Sequence, residues 1–241
     1  MEIKIVKDYQ AVSELAASEI ESLMNSKEEV VLGLATGSTP VGLYKELVKM
    51  YQQEKLDFSK TTTVNLDEYV GLKGSHPQSY RYFMNDLLFN HINIDLKNTH
   101  LPDGASENPQ QAAVDYEEEL SKLETIDLQI LGIGTNGHIA FNEPDDRLSL
   151  STHVVNLLPS TIEDNARFFE SIDEVPKTAI TMGVGSIMKA QRIIVLVSGK
   201  SKAPIVAQLM DDYVSTQLPA SLLKFHPRVL LIIDEDAASL L

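Results

Sequence analysis

The sequence contains no cysteine and no tryptophan, and only 6% of its 241 residues are aromatic. Without cysteine there is no disulfide, no thiolate metal ligand and no cysteine nucleophile. No run of apolar residues approaches the roughly 18 that indicate a membrane span, and the first residues, MEIKIVKDYQ, do not resemble a signal peptide. We therefore expect a soluble cytoplasmic protein.

Basic side chains are also scarce. The chain has 20 lysines and arginines against 35 aspartates and glutamates, which gives a formal net charge of −15. This balance disfavours nucleic acid and anionic membranes, so we expect neither as a partner. The remaining composition, 43% hydrophobic and 23% charged, is that of an ordinary globular protein with a sizeable core.

Apolar, β-branched runs alternate with helical patterns along the chain. The runs are VVLGLA from Val30, TTTVNL from Thr61, IDLQIL from Ile126, THVVNLL from Thr152, TAITMGV from Thr178, RIIVLV from Arg192 and RVLLII from Arg228. Several are apolar throughout, which is typical of parallel strands covered on both faces. The helical patterns span residues 9–26, 40–55, 77–91, 107–123 and 202–216. We predict one α/β domain over residues 1–241, Rossmann-like, with a mostly parallel central sheet flanked by helices.

The segment GIGTNGHIAFNEP contains a G-x-G-x-x-G pattern at Gly132, Gly134 and Gly137, directly after a predicted strand. A dinucleotide site requires the third glycine to open a helix and an acid to end the next strand. Here a proline and two aspartates follow, and THVVNLL has no acid, so we reject that interpretation. The turn carries His138 and Glu143 instead, which could pair so that the carboxylate orients the imidazole for proton transfer.

Two other segments follow predicted strands with unusual residues, at the sheet edge where ligands bind in such folds. ATGSTP is a small-residue turn before a helix, whose free N–H groups and the hydroxyls of Ser38 and Thr39 suit a phosphate. An ordinary helix cap is the competing explanation. In LDEY, Asp67 and Glu68 point to opposite sides of an extended chain, so at most one of them readily faces a pocket.

Taken together, the motifs resemble those of the glucosamine-6-phosphate deaminase family. In chain order, from about Leu32 to Glu235, they are ATGSTP, NLDEYVGL, HPQSY, GIGTNGHIAFNEP, ARFF, VPKTAITMGVGSI, SGKSKA and FHPRVLLIIDE. The resemblance implies conversion of glucosamine 6-phosphate and water to fructose 6-phosphate and ammonia in amino sugar catabolism. It also implies that the reaction needs no metal ion and no organic cofactor.

The resemblance assigns roles to the acidic and imidazole side chains. His138, with Glu143 behind it, matches the group that opens the sugar ring, and Asp67 matches the base that removes the proton from carbon 2. A carboxylate is a weak base in water, so we expect burial to raise the pKa of Asp67. Many family members carry an aspartate where this chain has Asn136. An amide can orient a histidine but cannot take its proton, so we expect Asn136 to act only in orientation.

By resemblance, the substrate phosphate is bound by Gly37, Ser38, Thr39, Arg167 and Lys202. Lys200 lies two residues from Lys202, and we interpret it as a solvated surface lysine. Arg167 falls in a segment near residues 157–177 that we expect to act as a lid over the site.

Two alternatives stay open, and the oligomeric state is a separate question. The chain could be a 6-phosphogluconolactonase, which shares the fold and a phosphosugar site, or a sugar-phosphate sensor without catalysis.

Longer family members are hexamers that are activated by N-acetylglucosamine 6-phosphate. A basic pair holds this activator between subunits, and the positions of the pair fall on His153 and Val155 here. The sequence also ends soon after LLIIDE, without their C-terminal extension. We therefore expect a monomer with hyperbolic kinetics.

Overall fold

Seven strands form the central sheet, and each neighbouring pair in it is parallel. A computed structural model describes all 241 residues, Met1–Leu241. The strands of the chain are β1 Glu2–Val6, β2 Val31–Leu34, β3 Thr62–Asn65, β4 Asp67–Tyr69, β5 Thr99–His100, β6 Leu128–Gly132, β7 His153–Asn156, β8 Thr178–Thr181, β9 Ile193–Val197 and β10 Val229–Asp234. In the central sheet their order is β1-β10-β9-β6-β2-β3-β5. The α/β fold class predicted from the sequence is confirmed.

A second, smaller sheet has three antiparallel strands in the order β4-β8-β7. THVVNLL and TAITMGV are strands, as predicted, but they belong to this sheet and not to the central one. The apolar runs could not reveal this, because an apolar strand of four residues gives no indication of its partner or its direction. Strand β4, which the runs did not predict, is separated from β3 by a single residue, Leu66, and leads the chain out of the central sheet.

Seven α-helices complete the architecture. They are α1 Tyr9–Ser26, α2 Val41–Gln52, α3 Tyr80–Leu87, α4 Pro109–Lys122, α5 Pro159–Ala166, α6 Val184–Ile187 and α7 Ala203–Met210. All five predicted helical patterns contain a helix, but several are shorter than predicted. The pattern at 77–91 was wrong at its start: Pro77 precedes the helix, and Ser79 is the N-cap, accepting a hydrogen bond from Tyr82 N at 3.0 Å. Helices α5 and α6 were missed, because neither is long enough to show a clear apolar period.

One cluster of 47 buried apolar residues forms the main core, and all five residues of β9 are buried in it. A second cluster lies under the small sheet and contains Tyr69, Phe141, Leu157 and Ala179. None of the helices combines the length and the apolar character that a membrane crossing needs.

Candidate active site

A cavity of about 170 Å³ opens at the carboxyl ends of the central strands. The turns that follow β2, β3 and β6 all line it, as does the segment around α5. Seven of the nine predicted site residues are among its lining residues: Gly37, Ser38, Thr39, Asp67, His138, Arg167 and Lys202. The other two, Asn136 and Glu143, contact His138 from behind.

Asp67 is a buried carboxylic acid at the cavity wall, with only 6% of its surface exposed. Burial raises its pKa to about 8, and the negative charge of Glu68 adds to this effect. The predicted rise in pKa is confirmed. Glu68 faces away from the cavity and accepts hydrogen bonds from backbone N–H groups, so only one of the two acids faces the pocket, as the extended chain predicted.

The glycine-rich turn shapes the position of the imidazole. Gly134 N donates to His138 O at 3.0 Å, which closes the turn. A Cβ atom on Gly134 would lie 2.3 Å from Cε1 of His138, so a side chain at this position would displace the ring. Gly137 has a φ of +86°, which favours glycine. No helix follows the third glycine, in agreement with the rejection of a dinucleotide site.

A carboxylate lies behind the imidazole, as predicted. Nδ1 of His138 is 3.3 Å from Oε2 of Glu143, and Asn136 Nδ2 donates to the same oxygen at 2.8 Å. Asn136 Oδ1 also accepts from the backbone N of His138 at 3.1 Å. Burial favours the neutral acid, but the hydrogen bonds from His138 and Asn136 outweigh it and keep the pKa of Glu143 below its ordinary value. Glu143 is therefore an anion that can orient the imidazole and stabilise its charged form.

Two cations, Arg167 and Lys202, also line the cavity. Arg167 Nη2 donates to Ser38 Oγ at 3.1 Å, and its guanidinium carbon lies 4.8 Å from the centre of the Phe168 ring. Lys202 Nζ donates to Ile133 O at 2.8 Å, and burial lowers the pKa of this lysine. Lys200 is exposed and does not line the cavity, in agreement with its interpretation as a surface lysine.

The segment at residues 157–177 contributes several residues to the cavity wall. It contains α5 and a short 3₁₀ turn at Ile172–Glu174. Asp164, on α5, accepts from Thr135 Oγ1 at 2.7 Å, which connects this segment to the glycine-rich turn. Phe169 packs edge-on against Tyr69, with ring centres 5.9 Å apart.

The sequence analysis missed Asp234, the last residue of β10. Asp234 supports the loop that leads to Lys202. Its carboxylate accepts from Gly199 N at 3.0 Å and from Ser198 Oγ at 2.5 Å. Gly199 has a φ of +93° and precedes the 3₁₀ turn that ends at Lys202. The sequence offered a signal, since FHPRVLLIIDE was one of the family-like motifs, but its contact with the loop depends on the pairing of β9 with β10.

Comparisons with known proteins identify the family to which this chain belongs. A sequence model described as glucosamine-6-phosphate isomerases/6-phosphogluconolactonase matches residues 7–231. The glucosamine-6-phosphate deaminase of Clostridium perfringens is 54% identical over 241 residues, with all of both chains covered. A solved structure of a monomeric glucosamine-6-phosphate deaminase superposes with a TM-score of 0.98 at 44% identity, again over all of both chains. The 6-phosphogluconolactonase of Thermotoga maritima has a TM-score of 0.77 at 22% identity and covers 97% of this chain and 99% of its own, a likeness of fold alone.

Proposed function

This chain belongs to the glucosamine-6-phosphate isomerase/6-phosphogluconolactonase family, and from that premise we propose that it is a glucosamine-6-phosphate deaminase. The enzyme converts glucosamine 6-phosphate and water to fructose 6-phosphate and ammonia. The observation that carries the proposal is Asp67, a buried carboxyl at the cavity wall whose pKa, raised to about 8, suits a base that works near neutral pH.

The reaction begins with the closed sugar ring, which His138 opens. The imidazole takes the proton from the hydroxyl on carbon 1 and returns it to the ring oxygen, and this frees the aldehyde. Glu143 stabilises the charged imidazole between these transfers, because its carboxylate lies 3.3 Å from Nδ1. Asn136 holds both groups in place without exchanging a proton.

Asp67 then removes the proton from carbon 2 of the open-chain sugar. As this proton leaves, the oxygen on carbon 1 takes up a proton from solvent, and the product is an enolamine. A proton delivered to carbon 1, from the Asp67 carboxyl that now carries one, converts it to the imine of fructose 6-phosphate. Water adds to the imine carbon, and collapse of this adduct releases ammonia and leaves the ketone. General acid–base steps of this kind contribute about 10² to 10⁴ each in rate.

The substrate phosphate lies among Arg167, Lys202 and the turn at Gly37–Thr39, which line the same cavity. Arg167 supplies a fork of donors that matches phosphate oxygens, and Lys202 supplies a compact charge. The turn at Gly37–Thr39 adds hydroxyl and backbone donors next to Arg167, which already contacts Ser38 at 3.1 Å. Asp67 and His138 line the same cavity, so a sugar whose phosphate is bound here would present carbons 1 and 2 to them.

The protein is one domain in which residues 157–177 act as a lid. The support is positional: the segment lines the cavity and carries Arg167, so binding of the phosphate would draw it over the substrate. The enzyme is a monomer, as is the deaminase of known structure that superposes on the whole chain.

Release of ammonia tests the proposed function. Purified protein is supplied with glucosamine 6-phosphate, and ammonia and fructose 6-phosphate are measured by coupled enzymes. A parallel reaction contains 6-phosphogluconolactone. We expect the two products in equal amounts from the amino sugar. Lactone hydrolysis without ammonia release would favour the lactonase, and binding of sugar phosphates without either reaction would favour a sensor.

A further inference from the structure

Glu68 is a buried acid next to Asp67 on β4, and its role is distinct from that of its neighbour. Only 2% of its surface is exposed. Its carboxylate accepts three backbone N–H groups, each at 2.9 Å: Oε1 from Tyr69 and Tyr80, and Oε2 from Arg81. Two of these donors are the first N–H groups of α3, which have no partner within the helix and favour a negative charge. Glu68 thus joins β4 to the start of α3.

The start of α3 forms part of the cavity wall beside Asp67. Tyr80, its first residue, lines the cavity, and its ring stacks on Phe141 with centres 6.2 Å apart and planes at 17°. On the other side of the helix start, Arg81 Nη1 donates to Thr99 Oγ1 at 2.7 Å. The position of Tyr80 is therefore set by the backbone bonds to Glu68 and by the attachment of Arg81 to β5.

Burial raises the pKa of Glu68, whereas its three backbone N–H donors and the positive charge of Arg81 favour the ionised form. These contacts all require an acceptor, which supports a carboxylate at this position. The titratable groups nearest Asp67 on the elements packed around it are Glu68 and Tyr69 on β4, Tyr80 and Arg81 on α3, and Tyr116 on α4. The charged or titratable groups that line the cavity with Asp67 are His138, Asp164, Arg167 and Lys202. Burial raises the pKa of all three tyrosines, which are therefore neutral, so the charged groups near Asp67 outside the cavity are Glu68 and Arg81. Of these two, Glu68 is the one whose charge acts on Asp67.

We propose that Glu68 is a positioning residue of the reaction: its buried carboxylate fixes the start of α3, and with it Tyr80, beside Asp67, and its negative charge acts directly on the Asp67 carboxyl. This proposal rests on the function proposed above for Asp67. A like charge next to an acid disfavours the ionised form of that acid. Glu68 therefore strengthens Asp67 as a proton acceptor, while its hydrogen bonds keep the wall of the site in place.

Two substitutions separate the charge from the hydrogen bonds. Glu68→Gln keeps the length of the side chain but removes the charge, and its amide NH₂ group cannot accept from the backbone N–H groups that it faces. We expect the acid limb of the kcat/KM profile to move to lower pH.

Glu68→Asp keeps the charge but withdraws the carboxylate from α3. We expect its acid limb to stay near that of the wild type while kcat falls about 10- to 100-fold, because Tyr80 is displaced.

A matched control removes a charge elsewhere. Glu107 is exposed, so Glu107→Gln changes the net charge as Glu68→Gln does, and we expect a wild-type pH profile. An unshifted acid limb in Glu68→Gln, with activity lost only in proportion to thermal stability, would overturn the proposal.

An NMR titration of isotope-labelled carboxyl carbons measures the influence of Glu68 on the ionisation of Asp67 without any need for turnover. In the wild type we expect Glu68 to stay ionised over the pH range in which Asp67 titrates, and a neutral Glu68 in that range would overturn the proposal even if neither variant folds. In Glu68→Gln we expect Asp67 to titrate at lower pH. A wild type that releases no ammonia but shows these titrations would contradict the proposed function and leave the influence of Glu68 on Asp67 established.

Discussion

The side-chain amide of Asn136 donates a hydrogen bond of 2.8 Å to Oε2 of Glu143. This is the oxygen that lies 3.3 Å from Nδ1 of His138, so one carboxylate oxygen holds both the amide and the imidazole. Glu143 is consequently the single anion behind His138, and residue 136 contributes orientation without charge.

Asn136→Asp should change the pH dependence of the reaction. An aspartate at this position would place a second carboxylate within hydrogen-bonding distance of Glu143, and two carboxylates this close cannot both ionise readily. We expect the pair to share a proton, so that the pH–rate profile shows an additional ionisation or a displaced limb. Asn136→Ala, which adds no charge, should lower kcat but keep the shape of the profile. Identical profiles for Asn136→Asp and the wild type would contradict the arrangement.

Removal of either proposed phosphate-binding cation should weaken substrate binding. A hydrogen bond to a charged group is worth about 1.5–3 kcal/mol, so Arg167→Ala or Lys202→Ala should raise KM roughly 10- to 150-fold, with a smaller effect on kcat. Glucosamine without its phosphate should be a very poor substrate for the wild type. The control is Lys200→Ala, because Lys200 is exposed and outside the cavity. Equal efficiency on glucosamine and its 6-phosphate would rule out this phosphate site.

Asp67→Asn should stabilise the protein at high pH. The pKa of Asp67 is about 8 in the folded protein, compared with an ordinary value of 3.8. Between these values the folded protein binds a proton that the unfolded chain does not, so this residue lowers stability as pH rises from about 4 to about 8.

The substitution removes this effect. In urea unfolding, the free energy of unfolding of Asp67→Asn, relative to the wild type, should therefore rise by roughly 1–4 kcal/mol between about pH 5 and pH 9. The comparison across pH cancels any constant effect of the amide. An equal difference at both pH values would show that Asp67 is not a buried acid with a raised pKa.

N-acetylglucosamine 6-phosphate should not activate the enzyme. The two positions that correspond to the basic pair of the longer family members are occupied by His153 and Val155. His153 Nδ1 lies 3.0 Å from Ser151 O, and Val155 packs against the cluster of Tyr69 and Phe141. Neither residue supplies a permanent positive charge for a phosphate. Rate against substrate concentration should be hyperbolic with or without the compound, and a sigmoidal curve that the compound makes hyperbolic would refute this.

Most of the site residues could be predicted from local sequence motifs. The pairing of His138 with Glu143 was predictable because the two residues are five apart in one turn. The alternation of side chains along a strand predicted that at most one of Asp67 and Glu68 faces a pocket, and the family resemblance indicated Asp67. Asp234 and Glu68 were assigned no role, because their hydrogen bonds reach loops and helices that only the folded chain brings together. The antiparallel sheet was missed for the same reason, since the partner of an apolar strand is a property of the tertiary structure.

The central claim is that Asp67 removes the proton from carbon 2, and the turnover of Asp67→Asn tests it most directly. Ammonia release from glucosamine 6-phosphate is measured for the variant and the wild type, and binding is measured by calorimetry on the same preparations. Because the phosphate contacts are untouched, we predict that the variant binds substrate with nearly the wild-type Kd but releases ammonia at least about 10³-fold more slowly. Ammonia release within about tenfold of the wild-type rate would contradict the assignment of Asp67 as the base.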